Sequence, residues 1–130
     1  MMFTLIIALL TVHSLARPPP PNGKYAKKVS NVTTVGASFA AEEPEVELSV
    51  SCGVGKYYES LPLKVVRTRF DVFEIAHSDT NPYRAYLAYI RMVCPRLQLK
   101  EPDFHTFYYH GYTNTIKTRV LDGIITLEKE

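Results

Sequence analysis

From Glu45 to Cys52 polar and apolar residues alternate without a break, Glu-Val-Glu-Leu-Ser-Val-Ser-Cys, which predicts a strand with one buried face that ends at the cysteine. Gly53-Val54-Gly55 interrupts the pattern. After Pro62 the segment Leu63-Lys64-Val65-Val66-Arg67-Thr68-Arg69-Phe70 is rich in β-branched residues and predicts a second strand, with residues 72–76 extending it beyond a bulge at Asp71. Ser78-Asp79-Thr80-Asn81-Pro82 has the composition of a turn. Further short strands are expected at residues 104–109, 117–121 and 124–127, separated by Gly111 and by Asp122-Gly123, and no repeat period is visible.

Residues 83–94 fit two periods. Tyr83, Tyr86, Leu87, Ile90 and Cys94 fall on one face of a helix, with Asn81 as an N-cap and Pro82 at the first helical position. Tyr86, Ala88, Ile90, Met92 and Cys94 equally fall on one face of a strand, and Pro95 ends either element. The strand reading gives a small all-β sandwich. The helical reading gives an α+β domain.

Ahead of this region the patterning changes twice. Residues 1–16 hold one apolar run, Phe3 to Val12, followed by Ser14-Leu15-Ala16, the layout of a secretory signal peptide. The run is about half the roughly 20 residues that a spanning helix needs, so an integral membrane span is not expected. Residues 17–44 begin with Arg17 followed by four consecutive prolines and a small lysine cluster and continue without a sustained period; they read as a flexible Pro/Lys-rich arm, leaving residues 45–130 as the folded domain.

Composition narrows the function classes. A chain of 130 residues with 46% hydrophobic and 22% charged residues is too apolar for a disordered protein and fits one small domain. Fifteen basic and thirteen acidic residues give a net charge of +2 with interspersed signs, so no nucleic-acid partner is expected. Export gives the two cysteines, Cys52 and Cys94, an oxidising compartment, and one intramolecular bridge is expected between them. Closing that loop would stabilise the fold by roughly 4 kcal/mol in the chain-entropy picture. Asn31-Val32-Thr33 is an acceptor sequence for N-glycosylation at Asn31.

Catalytic chemistry has one candidate set. Glu74, His77, Arg91, His105 and His110 supply the residue types of a small secreted ribonuclease, in which a Glu or His base, a His acid and an Arg beside the phosphate act together. His105 and His110 are five apart and would face opposite sides of a strand, so they cannot chelate one metal without a bend. No cofactor, metal ligand set or catalytic residue is assigned on this reading. The six tyrosines at 83, 86, 89, 108, 109 and 112 read as core and cross-strand packing.

The order of these pieces resembles the nematode transthyretin-like family of small secreted proteins. The resemblance rests on the leader, on Leu48-Ser49-Val50-Ser51-Cys52, on Pro62-Leu63-Lys64-Val65-Val66, on Asn81-Pro82 leading through Tyr89-Ile90-Arg91 to Cys94, and on the tail Leu121-Asp122-Gly123-Ile124-Ile125-Thr126-Leu127-Glu128. It implies an all-β sandwich of transthyretin-like or immunoglobulin-like kind with one disulfide, secretion to the extracellular space, and a non-catalytic binding, carrier or cell-surface role. The partner would be an extracellular protein, a lipid or a small hydrophobic ligand. The alternative function is the ribonuclease-like one.

Overall fold

A computed structural model describes residues 19–40 and 42–130; the leader expected at residues 1–16 lies outside them. The described residues form nine strands, β1 (Gly23–Lys28), β2 (Thr34–Ala40), β3 (Glu45–Ser51), β4 (Tyr57–Glu59), β5 (Leu63–Arg69), β6 (Val72–Ile75), β7 (Thr106–His110), β8 (Thr115–Val120) and β9 (Gly123–Lys129). A short 3-10 turn, His77–Asp79, leads into the helix α1 (Thr80–Val93), between β6 and β7.

Every strand pairing is antiparallel, and β9 returns to β1 through Tyr25↔Lys129 and Ala26↔Glu128. The sheet therefore closes into a barrel. β4 and β5 pair with successive parts of β3, Ser51↔Tyr57 at one end and Val46↔Leu63 at the other, so they form one stave broken at Ser60-Leu61-Pro62 and the barrel has eight staves. The expected all-β character is present, but the expected sandwich is not. One-sided alternation is the same in both architectures; what separates them is the β1–β9 pairing, which joins residues about as far apart as the chain allows and leaves no local trace.

The arm reading of residues 17–44 also fails, because β1 and β2 lie inside it. Tyr25, Val35 and Ala37 are fully buried and Phe39 is nearly so. The alternation of Val35, Ala37 and Phe39 is real, but the residues between them are Gly36 and Ser38, too small to mark a polar face. Gly36 is required there: a Cβ at that position would lie 2.9 Å from the Tyr25 carbonyl oxygen and 2.8 Å from Ser49 Oγ. Tyr25 is the one large inward residue of β1, and the preceding prolines obscure it.

Residues 83–94 take the helical alternative rather than the strand. Burial distinguishes the two periods: Tyr83, Tyr86, Leu87 and Ile90 are buried, at i, i+3, i+4 and i+7, whereas Met92 is 69% exposed. The helix begins one residue before the expected Asn81 cap, at Thr80, whose Oγ1 donates to the His77 carbonyl at 2.8 Å. Asp79 instead accepts from the Lys64 backbone N–H at 2.7 Å and ties the helix start to β5. Pro82 sits in the first turn, where a missing N–H costs nothing. Residues 72–76, expected to prolong the preceding strand, turn back on it as β6, with a register shift between Arg67 and Arg69.

The barrel interior is filled. Tyr109, Tyr25, Phe39 and Phe107 form a chain of edge-to-face rings with centroid separations of 6.4, 6.2 and 5.3 Å. Leu48, Leu63, Ile116 and Leu127 complete the packing around them. An eight-stave barrel is just wide enough either for side chains or for one small ligand, and here side chains occupy the space.

The helix closes a gap in the wall. β6 ends at Ile75, so β4 has no strand on its outer side among the described residues. α1 lies there, with the Tyr86 hydroxyl donating to the Tyr58 carbonyl at 2.9 Å and the Tyr89 ring against the Tyr58 ring at 5.6 Å. The segment after the helix is anchored by Asp103, a buried carboxylate that accepts from the backbone N–H groups of Lys100 at 3.0 Å and Leu121 at 3.2 Å. Its carbonyl accepts from the Tyr83 hydroxyl at 2.6 Å. Cys52, just past β3, is bonded to Cys94, just past α1, with 6.1 Å between their Cα atoms.

Candidate functional site

One end of the barrel gathers the β1–β2 turn at residues 29–33, the disulfide, the chain just after α1 and the β8–β9 turn at Leu121-Asp122. These segments enclose a cleft of about 640 Å³. The opposite end carries two smaller ones of about 450 and 110 Å³, lined in part by the chain's own Pro19, Pro20 and Pro21. The floor of the large cleft is formed by Val29, Val93, Leu97 and the disulfide, and its sides include Val32 and Leu121. Val32 is 64% and Leu121 44% exposed, so the apolar lining continues to the surface.

Local structure sets these positions. In the β1–β2 turn Ser30 Oγ accepts from the backbone N–H of Thr33 at 3.1 Å, holding residues 30–33 in a tight cap and turning Val32 outward. In the β8–β9 turn Leu121 and Asp122 both have positive φ, +54° and +67°. Two consecutive left-handed residues give the hairpin turn whose twist suits the flanking strands, but Asn and Gly are its usual occupants and leucine is not. The Asp103 carboxylate holds the Leu121 N–H in place.

The rim carries charge of one sign. Lys56 and Arg96 line the cleft and, among the described residues, no acidic one does. Among the described residues neither cation has an ion pair, whereas Lys24, Arg84, Lys100 and Arg119 each meet a carboxylate. Asp122, beside Leu121, is already engaged by Lys100 at 3.4 Å and Arg119 at 3.5 Å. The tightest pair, Arg84 with Glu101 at 2.8 Å, holds the Glu101 carboxyl below its ordinary value through their hydrogen bond.

Of the residues singled out in the sequence, Cys52 and Cys94 form the expected bond and part of the cleft floor. Asn31 is exposed in the β1–β2 turn between two cleft residues, Ser30 and Val32. The five residues of the acid-base set are only partly assembled. Glu74 and His105 meet through Thr106, whose Oγ1 lies 3.4 Å from Glu74 Oε1 and 3.2 Å from His105 Nδ1. Arg91 is committed elsewhere, donating from Nη1 to the Leu99 carbonyl at 2.6 Å. His110 lies four residues further along β7 than Thr106, roughly 13 Å away at the rise of a strand. His77 is exposed in the 3-10 turn, with its carbonyl accepting from Thr80. No group of three or more His, Cys, Asp or Glu side chains is placed to hold a metal ion among the described residues.

Lys56, Arg96, Leu97 and Leu121 escape a reading of the sequence. The cleft is assembled from four separated segments, and only the exposed valine inside a turn, Val32, marks it locally. The disulfide is consistent with an extracellular protein, and no helix among the described residues is long and apolar enough to cross a membrane. Set against protein families, curated proteins and solved structures, the chain matches none of them.

Proposed function

We propose that the protein is a secreted, non-catalytic binding module that takes a small hydrophobic ligand in the cleft at the disulfide end of the barrel. One observation carries the reading: an apolar floor that opens to solvent through exposed Val32 and Leu121 at a volume of about 640 Å³, inside the range of roughly 300–1,000 Å³ usual for ligand pockets. A packed barrel interior favours this outer cleft over a central one. The leader-like segment and the bridge support an extracellular setting.

The ribonuclease-like alternative has the weaker support, since the groups it needs are divided between Glu74–Thr106–His105, a structural arginine and a distant His110. The test uses the neutral fluorescent probe N-phenyl-1-naphthylamine. It should bind with a dissociation constant below about 100 μM, and Val93→Trp, which fills the cleft floor, should weaken binding at least about tenfold. Absence of binding, or binding indifferent to Val93→Trp, would remove the cleft as the site. RNA turnover lost on His105→Asn would replace the proposal with the enzymatic one.

A further inference from the structure

Resting on the reading of the cleft as a binding site, we infer that its ligand is a free amphiphile with one anionic head group, its tail on Val29, Val93 and Leu97 and its head toward Lys56 and Arg96. Three observations carry this. The first is charge: two cations and no acid line the cleft, and both cations lack a carboxylate partner among the described residues. Beside a low-dielectric floor the field of an unpaired cation is screened less than at an open surface, so an anionic group gains more there. The arginine also offers planar, two-pronged hydrogen bonding that matches a carboxylate, sulfate or phosphate oxygen pair.

The second is the backbone at Leu121. A leucine with φ +54° occupies a turn position that asparagine or glycine would fill without strain, and the buried Asp103 carboxylate fixes it there. The strained residue lines the cleft and leaves 44% of its surface exposed, so the turn keeps an apolar side chain where the local geometry disfavours one. The third is shape. The ring chain from Tyr109 to Phe107 fills the barrel, so a tail has to lie along the floor of Val29, Val93 and Leu97 and cannot run into the interior. A short or medium chain with a single head fits that path.

The test is competition against N-phenyl-1-naphthylamine by decanoate and by 1-decanol, which share a tail and differ in head charge. Decanoate should displace the probe at a concentration at least about tenfold lower than decanol. The double variant Lys56→Glu/Arg96→Glu should erase that difference by weakening decanoate at least about tenfold, with thermal melting to confirm its fold. In the native protein, raising salt from 50 to 500 mM should weaken decanoate and not decanol, a second readout that needs no variant. Equal potency of the two competitors, or a preference that survives the double charge reversal, overturns the inference and leaves the binding-module reading standing. Failure of the neutral probe to bind at all is instead the failure of that reading. Binding to phosphatidylglycerol vesicles without any effect of monomeric decanoate would replace the free amphiphile by a membrane surface and also overturn it.

Discussion

Three tyrosines show how single residues hold this fold and how they make it sensitive to alkali. Tyr25, Tyr83 and Tyr86 are buried, and each hydroxyl donates one hydrogen bond, to Asn114 Oδ1, the Asp103 carbonyl and the Tyr58 carbonyl. The rings supply apolar area and the hydroxyls are satisfied, which is the condition for placing Tyr in a core. Burial opposes the phenolate: it pushes Tyr25 up to about 12 and raises Tyr83 and Tyr86 further. A raised folded-state value means that the unfolded chain loses these protons first, near pH 10, so stability is full below that pH and falls as pH rises toward the folded values. The melting temperature should therefore drop between pH 10 and 11.5 by at least about 5 °C, equivalent to about 1 kcal/mol for a domain of this size. Phenolate absorbance of these three among the nine tyrosines should appear only with unfolding. A flat melting temperature to pH 11.5 would contradict the burial. Tyr25 and Tyr83 also mark the limit of reading residues one at a time, since both belong to the core but only Tyr83 stands in a periodic segment that announces it.

At the scale of elements, α1 is the part whose sequence supports two structures. Its helical face buries Ile90 and leaves Met92 in solvent, whereas a strand would bury both. Ile90→Asp should unfold the protein by placing an unpaired charge in the core, and Met92→Asp should change stability by less than about 0.5 kcal/mol; chemical denaturation of the two variants checks this. Equal loss from both would favour the strand. β3 was legible because it carries large residues on one face and polar ones on the other, Val46, Leu48 and Val50 against Glu45, Glu47 and Ser49, and β5 because it is rich in β-branched residues. β2 was not legible because Gly36 and Ser38 blur its outer face where the sheet comes close to Tyr25 and Ser49. The bridge was readable from cysteine count and compartment alone. The cleft was not, because its lining comes from four segments that only the closed barrel brings together.

For the molecule as a whole, closure gives β1 and β2 a weight that their length does not suggest. Removing everything before Glu45 would strip β3 of its β2 partner and β9 of its β1 partner, delete Tyr25, Val35, Ala37 and Phe39 from the interior, and create two unpaired sheet edges. Such a protein should lose its cooperative thermal transition and run as aggregate in size-exclusion chromatography; retention of the full melting temperature would mean that the barrel need not close. The seam between β1 and β9 is short, with two paired positions and one further backbone hydrogen bond from Glu130 to Lys24. β9 is also the last barrel strand to be synthesised, so during translation the first strand waits with an unsatisfied edge until all the others have emerged. Cys52 and Cys94 both precede β7, β8 and β9. The covalent staple is thus available to fasten β3 to the helix while the wall is still an open sheet, and its oxidation before β7, β8 and β9 emerge would shorten the interval in which a newborn chain can pair with its neighbours instead of with itself.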